Sequence, residues 1–259
     1  MALIQSILKE DIGTIAFNNA KKHNCLCRDL LEEFLEAFKK FKQEKARVVI
    51  IKAEKGAKVW SAGLDINELP EPGIDPLDYD HPFEKILREV QHFPAPVLAM
   101  IEGSVWGGAC DLAFVCDMLI CAPSVTFAIT PAKIGVPYNP SGILHFLNVV
   151  GMNMAKEMFF TARPISAERA FSAGIVNYLV STDEIEKFSY DKAAQITRNS
   201  PLSIAVIKEQ LRILGRSHPI SPETFERIQE LRTLVFNSDD YIEGKKAFQE
   251  KRTPVFKGK

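Results

Sequence analysis

The sequence has almost no charge bias. Its 259 residues carry 32 Lys plus Arg against 33 Asp plus Glu, a formal net charge of −1. That balance removes the electrostatic case for nucleic acid or an anionic membrane surface, and neither is expected as a partner. Long apolar runs are also missing. No stretch approaches the roughly 20 residues of a membrane-spanning helix, and the run from Val115 to Ala122 is broken by Asp117. The first residues are too few and too interrupted for a secretory leader, so the expected location is the cytoplasm.

Cysteine is scarce. The five present (Cys25, Cys27, Cys110, Cys116, Cys121) are an odd number with no spacing of a disulfide framework. Cys25-Leu-Cys27 has no second Cys/His pair nearby to complete a zinc site. Reduced thiols, several of them buried, are expected. The five histidines (His23, His81, His92, His145, His218) show no ligand spacing and read as surface or packing residues. No G-x-G-x-x-G follows a strand, and there is no phosphate-loop lysine motif and no G-x-S-x-G elbow. Nothing here argues for nicotinamide, metal or covalent serine chemistry, and no cofactor is expected.

The residues that are present describe an ordinary globular chain, 46% apolar and 25% charged. Alternating β-rich and helical segments fill the first part: strands at Ile4–Lys9, Ile12–Phe17, Val48–Lys52, Val97–Ile101 and Met118–Ala122, with helices at Arg28–Lys42, Phe83–His92 and Asp111–Cys116. This alternation predicts an α/β fold with mostly parallel pairing. Residues 70–82 hold four prolines and a glycine and read as a mobile loop. From Pro140 onward helical patterns dominate, with a break between Val150 and Met154 and one short strand over Ile175–Val180. The apolar helical tail (Phe225, Leu231, Leu234, Phe248) suggests packing against another subunit.

Two glycine-bearing stretches could carry chemistry: Ser61-Ala-Gly-Leu-Asp-Ile and Gly103-Ser-Val-Trp-Gly-Gly-Ala-Cys-Asp. Each is either an ordinary tight turn or a place where backbone approaches a ligand closely. In the second case a helix opening at Gly108 would point unpaired N–H groups outward, and two such donors converging on one oxygen would make an oxyanion hole.

These two stretches, followed by Cys116-Asp, resemble the enoyl-CoA hydratase/isomerase (crotonase) superfamily. The likeness extends through Asn19-Ala-Lys-Lys-His-Asn, Phe127 to Gly135, Ile165-Ser-Ala-Glu-Arg-Ala and the ending Gly244-x-x-Ala-Phe-x-Glu-Lys-Arg. The resemblance implies a ββα spiral core over residues 1–195 and a C-terminal helical trimerisation region over 196–259, assembled as a homotrimer or homohexamer. It implies an acyl-CoA substrate, with coenzyme A part of that substrate and not a cofactor. By the same resemblance the N–H groups of Leu64 and Gly108 would form the oxyanion hole, and Ala62, Gly63, Leu64, Asp65 and Ile66 would line the adenine and pantetheine path. Phe248 and Lys251, from a neighbouring subunit, would meet the nucleotide end.

Within the superfamily the segments Val59 to Pro70, Asp75-Pro-Leu-Asp-Tyr-Asp, Thr130-Pro and Gly135-Val-Pro-Tyr-Asn resemble decarboxylases of malonyl-type thioesters. Tyr138 would orient the substrate carboxylate with Thr130 beside it, and Tyr138 is otherwise a loop tyrosine with one backbone hydrogen bond. One departure is Leu64, where such decarboxylases carry His; a backbone donor survives that change. The two glutamates of the hydratases fall here at Asp111 and at Pro131, which cannot titrate, so paired acid–base hydration is disfavoured. Asp111 is either a carboxylate at a helix N-terminus or a group in protonation. The expected reaction is conversion of methylmalonyl-CoA to propionyl-CoA and CO2 through a stabilised enolate. An enoyl-CoA hydratase or isomerase, and a non-catalytic acyl-CoA-binding protein, stand as alternatives.

Overall fold

Val48–Lys52 and Val97–Ile101 are runs of apolar, largely β-branched residues, almost entirely buried. Strands covered on both faces belong in the middle of a parallel sheet, and that is where they lie in the computed structural model, which describes residues 2–72, 74–75, 77–215 and 221–257. In chain order the elements are β1 (Ile4–Lys9), β2 (Ile12–Phe17), α1 (Arg28–Gln43), β3 (Val48–Lys52), β4 (Val59–Ser61), α2 (Pro82–His92), β5 (Val97–Ile101), β6 (Ser104–Trp106) and α3 (Gly108–Phe114). There follow β7 (Met118–Cys121), β8 (Thr126–Ala128), α4 (Pro140–Thr161), β9 (Ile165–Ser166), α5 (Ala167–Ser172), β10 (Tyr178–Leu179), α6 (Ile185–Thr197), α7 (Pro201–Gly215), α8 (Pro222–Phe236) and α9 (Asp239–Gln249).

Two sheets result. The larger runs β1-β2-β3-β5-β7-β10, antiparallel only at the β1–β2 hairpin. The smaller runs β4-β6-β8-β9, parallel through β8. Each central strand of the large sheet is followed by a short strand of the small one and then by a helix: β3–β4–α2, β5–β6–α3, β7–β8–α4. This is a ββα repeat, and it confirms the expected α/β core. Trp60 couples the layers. It is fully buried, donates from its indole nitrogen to the Met100 carbonyl at 3.0 Å, and meets Phe17 edge-on with ring centres 5.1 Å apart.

The apolar stripe of α1 packs as its spacing predicts, with Leu30, Leu31, Phe34, Phe38 and Phe41 all buried. The expected break in the fourth helix is also present: Gly151 has φ 71° and ψ 167°, which no helix accommodates. Described residues of the 70–82 loop have partners elsewhere in the chain. Asp75 accepts both terminal nitrogens of Arg232 at 2.6 and 2.7 Å, Arg88 lies 3.9 Å over the Tyr79 ring, and Tyr241 and Lys245 both donate to the Pro70 carbonyl. Helices α2, α8 and α9 supply those partners.

The division expected at residue 195 falls inside the last turn of α6, which packs on β2, β3, β5 and β7. Beyond it, α7 has no buried residue among those described, and Leu202, Val206, Leu211 and Leu214 face outward. Its attachment is Lys208, which donates to Asp117 at 2.7 Å and to the carbonyls of Val90 and Ala95 at 3.0 and 3.1 Å.

Burial raises the pKa of Asp117, and Lys208 opposes that rise. A carboxyl whose pKa is raised by folding stabilises the fold most at low pH, where it is protonated, and loses that contribution as pH rises through its folded pKa. Lys208→Met removes the opposing charge. At pH 7 it should cost about 3 kcal/mol, the low end for a broken buried pair, because Asp117 keeps 29% exposure. The loss should shrink as the pH drops below the carboxylate range. Urea unfolding midpoints at pH 7 and pH 4 check both.

Candidate active site

Because β4, β6 and β8 are parallel neighbours, the segments leaving their C-terminal ends emerge side by side. Ligands of parallel α/β sheets bind at that end. The three segments are Ala62-Gly63-Leu64, Gly107-Gly108 and Ile129-Thr130.

The first segment is clamped by its neighbours. Asn24, buried, donates to the carbonyls of Val59 and Trp60, and Ser61 donates back to the Asn24 carbonyl at 2.7 Å. The Ala62 N–H is spent on the His23 carbonyl and the Gly63 N–H on Ser61 Oγ. The Gly63 carbonyl accepts from Leu26. The Leu64 N–H is the next in line, and no described group accepts from it. On the second segment the Gly107 N–H is spent on the Ala128 carbonyl, while that of Gly108, the first residue of α3, has no intrahelical acceptor by position. The two strands of backbone touch. A Cβ on Gly63 would sit 2.5 Å from the Trp106 carbonyl oxygen and 3.0 Å from the Gly108 nitrogen. Gly63 also has φ +83°, the left-handed region that suits glycine.

Below these amides lies a narrow cavity of about 80 Å3, walled by Leu64, Ile66, Ile134, Val136 and other apolar groups, with Gly107, Gly108, Thr130, Pro131, Tyr138 and Arg232. Above them an outer cleft of about 510 Å3 shares Ala62, Leu64, Ile66 and Thr130 with the cavity and adds Lys22, Asp65, Trp106 and Phe248. The structure therefore brings Ala62, Leu64, Asp65, Ile66, Gly108, Thr130, Tyr138 and Phe248 to one continuous site, with Gly63 beneath it. Phe248 reaches the cleft of its own chain, where a neighbouring subunit was expected to supply it. Lys251 lines neither space; it is exposed, with its N–H bonded to the Phe248 carbonyl.

Tyr138 presents its ring to the cavity and is wedged edge-on between Phe146 and Phe159, with Gly142 packed flush against it. Its hydroxyl is buried and has no hydrogen-bond partner among the described residues. Burial pushes its pKa well above the usual phenol value, and the carboxylates of Asp111 and Glu84 push in the same direction. It is not the loop tyrosine with a backbone hydrogen bond that the sequence also allowed.

Asp111, which the sequence singled out, belongs to a buried polar cluster whose other members and pairings the sequence did not mark. Asp111, 1% exposed, takes the His145 Nδ1 on one oxygen at 2.8 Å, and its other oxygen has no partner among the described residues. Glu84 accepts from Asn139 at 2.6 Å and from Ser141 at 3.1 Å, and burial raises its pKa. Arg232, buried on α8, is held by Asp75 at the cavity wall, and its Nε has no partner among the described residues. Nothing in a lone His or Arg within an apolar helix announces such pairings across 34 and 157 residues. Among the described residues no group of three or more His, Cys, Asp or Glu is placed to hold a metal ion.

The family model described as Enoyl-CoA hydratase/isomerase matches residues 8–259. A methylmalonyl-CoA decarboxylase of Escherichia coli (strain K12) is 44% identical over 247 residues, 95% of each chain. A solved methylmalonyl-CoA decarboxylase in complex with 2-nitronate-propionyl-CoA superposes with a TM-score of 0.97 at 43% identity, covering 99% of both chains. Another, complexed with 2S-carboxypropyl CoA, gives 0.97 at 42%, covering 100% of this chain and 99% of the other.

The close approach at Gly63 yields a stability test. Gly63→Ala combines a left-handed φ with a backbone clash and should cost about 3 kcal/mol or more. Gly56→Ala, also at positive φ (+76°) but in open space, should cost only about 1–2 kcal/mol. Thermal unfolding of the two variants side by side measures the difference.

Proposed function

The chain belongs to the enoyl-CoA hydratase/isomerase family, and we propose that it is a carboxy-lyase that converts methylmalonyl-CoA to propionyl-CoA and CO2. The observation that carries this reading is the pair of amides of Leu64 and Gly108, which have no acceptor among the described residues and stand at a small apolar cavity that shares Leu64 with a larger outer cleft. A thioester oxygen held there would meet two donors as negative charge builds on it. Each such donor is typically worth ~2.7–4 kcal/mol of barrier.

The rest follows from what loss of CO2 requires. The breaking C–C bond must stand perpendicular to the thioester plane so that its electrons flow into the carbonyl. Tyr138 and Thr130, at the cavity wall, are the polar groups to hold the carboxylate in that pose. The apolar walls favour departure of neutral CO2 over retention of a carboxylate. Hydration is poorly served: Pro131 occupies one of the two positions where the family's hydratases place a carboxylate, and Asp111 is buried, outside the cavity lining and bonded to His145. Ala62, Gly63, Asp65 and Ile66 fit the pantetheine and adenine path, and Phe248 the nucleotide end. Lys251, three residues beyond Phe248, belongs to the same end of the cleft in this reading. No cofactor beyond the substrate's own coenzyme A is needed.

We also propose that the protein works in the cytoplasm and is a homotrimer or homohexamer built through residues 196–259. The supporting feature is the outward apolar face of α7 and α8, with Leu202 79% and Leu234 67% exposed. Light scattering on the purified protein at micromolar concentration should give three or six times 29.0 kDa.

Purified protein given methylmalonyl-CoA should release CO2 and form propionyl-CoA, and given crotonyl-CoA should form little 3-hydroxyacyl product. Binding of both without turnover would instead mark a non-catalytic acyl-CoA protein. Tyr138→Phe should lower kcat for methylmalonyl-CoA by about 10²-fold, while the Kd for CoA itself stays within twofold. An unchanged kcat would remove Tyr138 from the mechanism.

A further inference from the structure

Two side chains that line the acyl cavity carry a buried polar group with no partner among the described residues: the Tyr138 hydroxyl and the Nε–H of Arg232. Such groups are uncommon in native folds and call for an explanation. Arg232 is the one charged side chain in the cavity lining, and it is only 7% exposed. It sits on α8, at the far end of the chain from the two amides of the neck.

The bonds that Arg232 already makes define what is left over. A guanidinium is a planar fork of five N–H donors, and both its end and its side can match the two oxygens of a carboxylate. Asp75 takes the end, with Oδ2 on Nη1 at 2.6 Å and Oδ1 on Nη2 at 2.7 Å. Gln229 accepts the other Nη1 hydrogen at 2.7 Å. The side edge, Nε with the remaining hydrogen of Nη2, has no acceptor among the described residues. An edge of this shape fits a second planar pair of oxygens. The rest of the cavity lining is apolar apart from backbone and the hydroxyls of Thr130 and Tyr138, so it supplies no carboxylate of its own.

We propose that Arg232 is a specificity-determining residue: its Nε–Nη2 edge takes the carboxylate of the acyl group and so selects thioesters that carry one. The inference rests on the lyase reading above, in which the substrate brings a carboxylate into this cavity. Tyr138 and Thr130 set the pose of that carboxylate, and Arg232 decides which acyl groups are accepted. Asp75 balances the guanidinium charge, so the contact is nearer to a pair of hydrogen bonds than to a full ion pair. That balance serves turnover, because a carboxylate held too tightly in the ground state would resist leaving as CO2. Once CO2 has left, the edge loses its acceptor. The product is then held less firmly than the substrate.

The test compares the binding of two probes that cannot turn over. 2-Carboxypropyl-CoA carries the carboxylate on a thioether with no carbonyl to take its electrons, and propyl-CoA is its match without the carboxylate. By titration calorimetry the unaltered protein should bind the first more tightly. Arg232→Gln combined with Asp75→Asn replaces the ion pair by two amides and leaves neither charge without its partner. In that variant the preference for the carboxylated probe should shrink by ~10–10²-fold, the worth of charge-assisted hydrogen bonds to one carboxylate, while the Kd for propyl-CoA barely moves. Arg232→Lys keeps a cation for Asp75 but lacks the planar fork, so the preference should fall there too; if the double variant fails to fold, this one decides. Equal affinity of the unaltered protein for the two probes, or a preference unchanged in either variant, overturns the assignment. Equal weakening of both probes marks only a damaged pocket and overturns it as well. Absence of CO2 release from methylmalonyl-CoA would instead overturn the lyase reading, a result separate from the probe ratio.

Discussion

The site depends on one steric constraint: at Gly63 there is no room for a side chain. The backbone there presses against Trp106 and Gly108 closely enough that a single carbon would intrude on the Trp106 carbonyl. That contact sets the spacing between two neighbouring turns, and through it the relation between the Leu64 and Gly108 amides. Everything that holds the turns in place serves it. Asn24 and Ser61 use up the surrounding donors and acceptors, and the parallel pairing of β4 with β6 brings the turns to one edge. The donors are main-chain atoms, so replacing His by Leu at position 64 changes what the cavity wall is made of without removing a donor.

A site of this kind suits chemistry that needs charge stabilisation more than proton traffic at two carbons. The cavity wall offers amides, apolar side chains, Thr130, Arg232 and the Tyr138 ring, with its hydroxyl buried. Its carboxylates stand one layer back. Asp111 and Glu84 are each engaged with neutral or cationic partners and act on the cavity through Tyr138. This arrangement lets CO2 depart into an apolar space while keeping ionisable groups within one hydrogen bond of it.

Much of this was legible in the amino-acid sequence, and what was not has a physical reason. Long periodic segments declared themselves: the Leu30 to Phe41 stripe of α1, and the continuous apolar runs of β3 and β5. The small sheet did not, because β4, β6 and β8 have three residues each and β9 has two, too few to show a period. Its glycines were visible, and they marked the right turns. Proline and glycine marked the 70–82 segment as a loop, but not that Arg232 on α8 pins Asp75, a long-range contact that composition cannot encode. His145 was read as a packing residue for the same reason. Its partner Asp111 lies on another helix, and only the fold joins them.

The pin has a further effect. Arg232 reaches the cavity wall from α8, the helix that also turns Leu231 and Leu234 outward. Whatever covers that outward face therefore shares a rigid element with the acyl pocket. Thermodynamic reciprocity sets the form of any coupling through that helix: if a ligand in the pocket strengthens association at the outer face, association strengthens the ligand by the same factor. Assembly and occupancy of the pocket would be two readings of a single equilibrium.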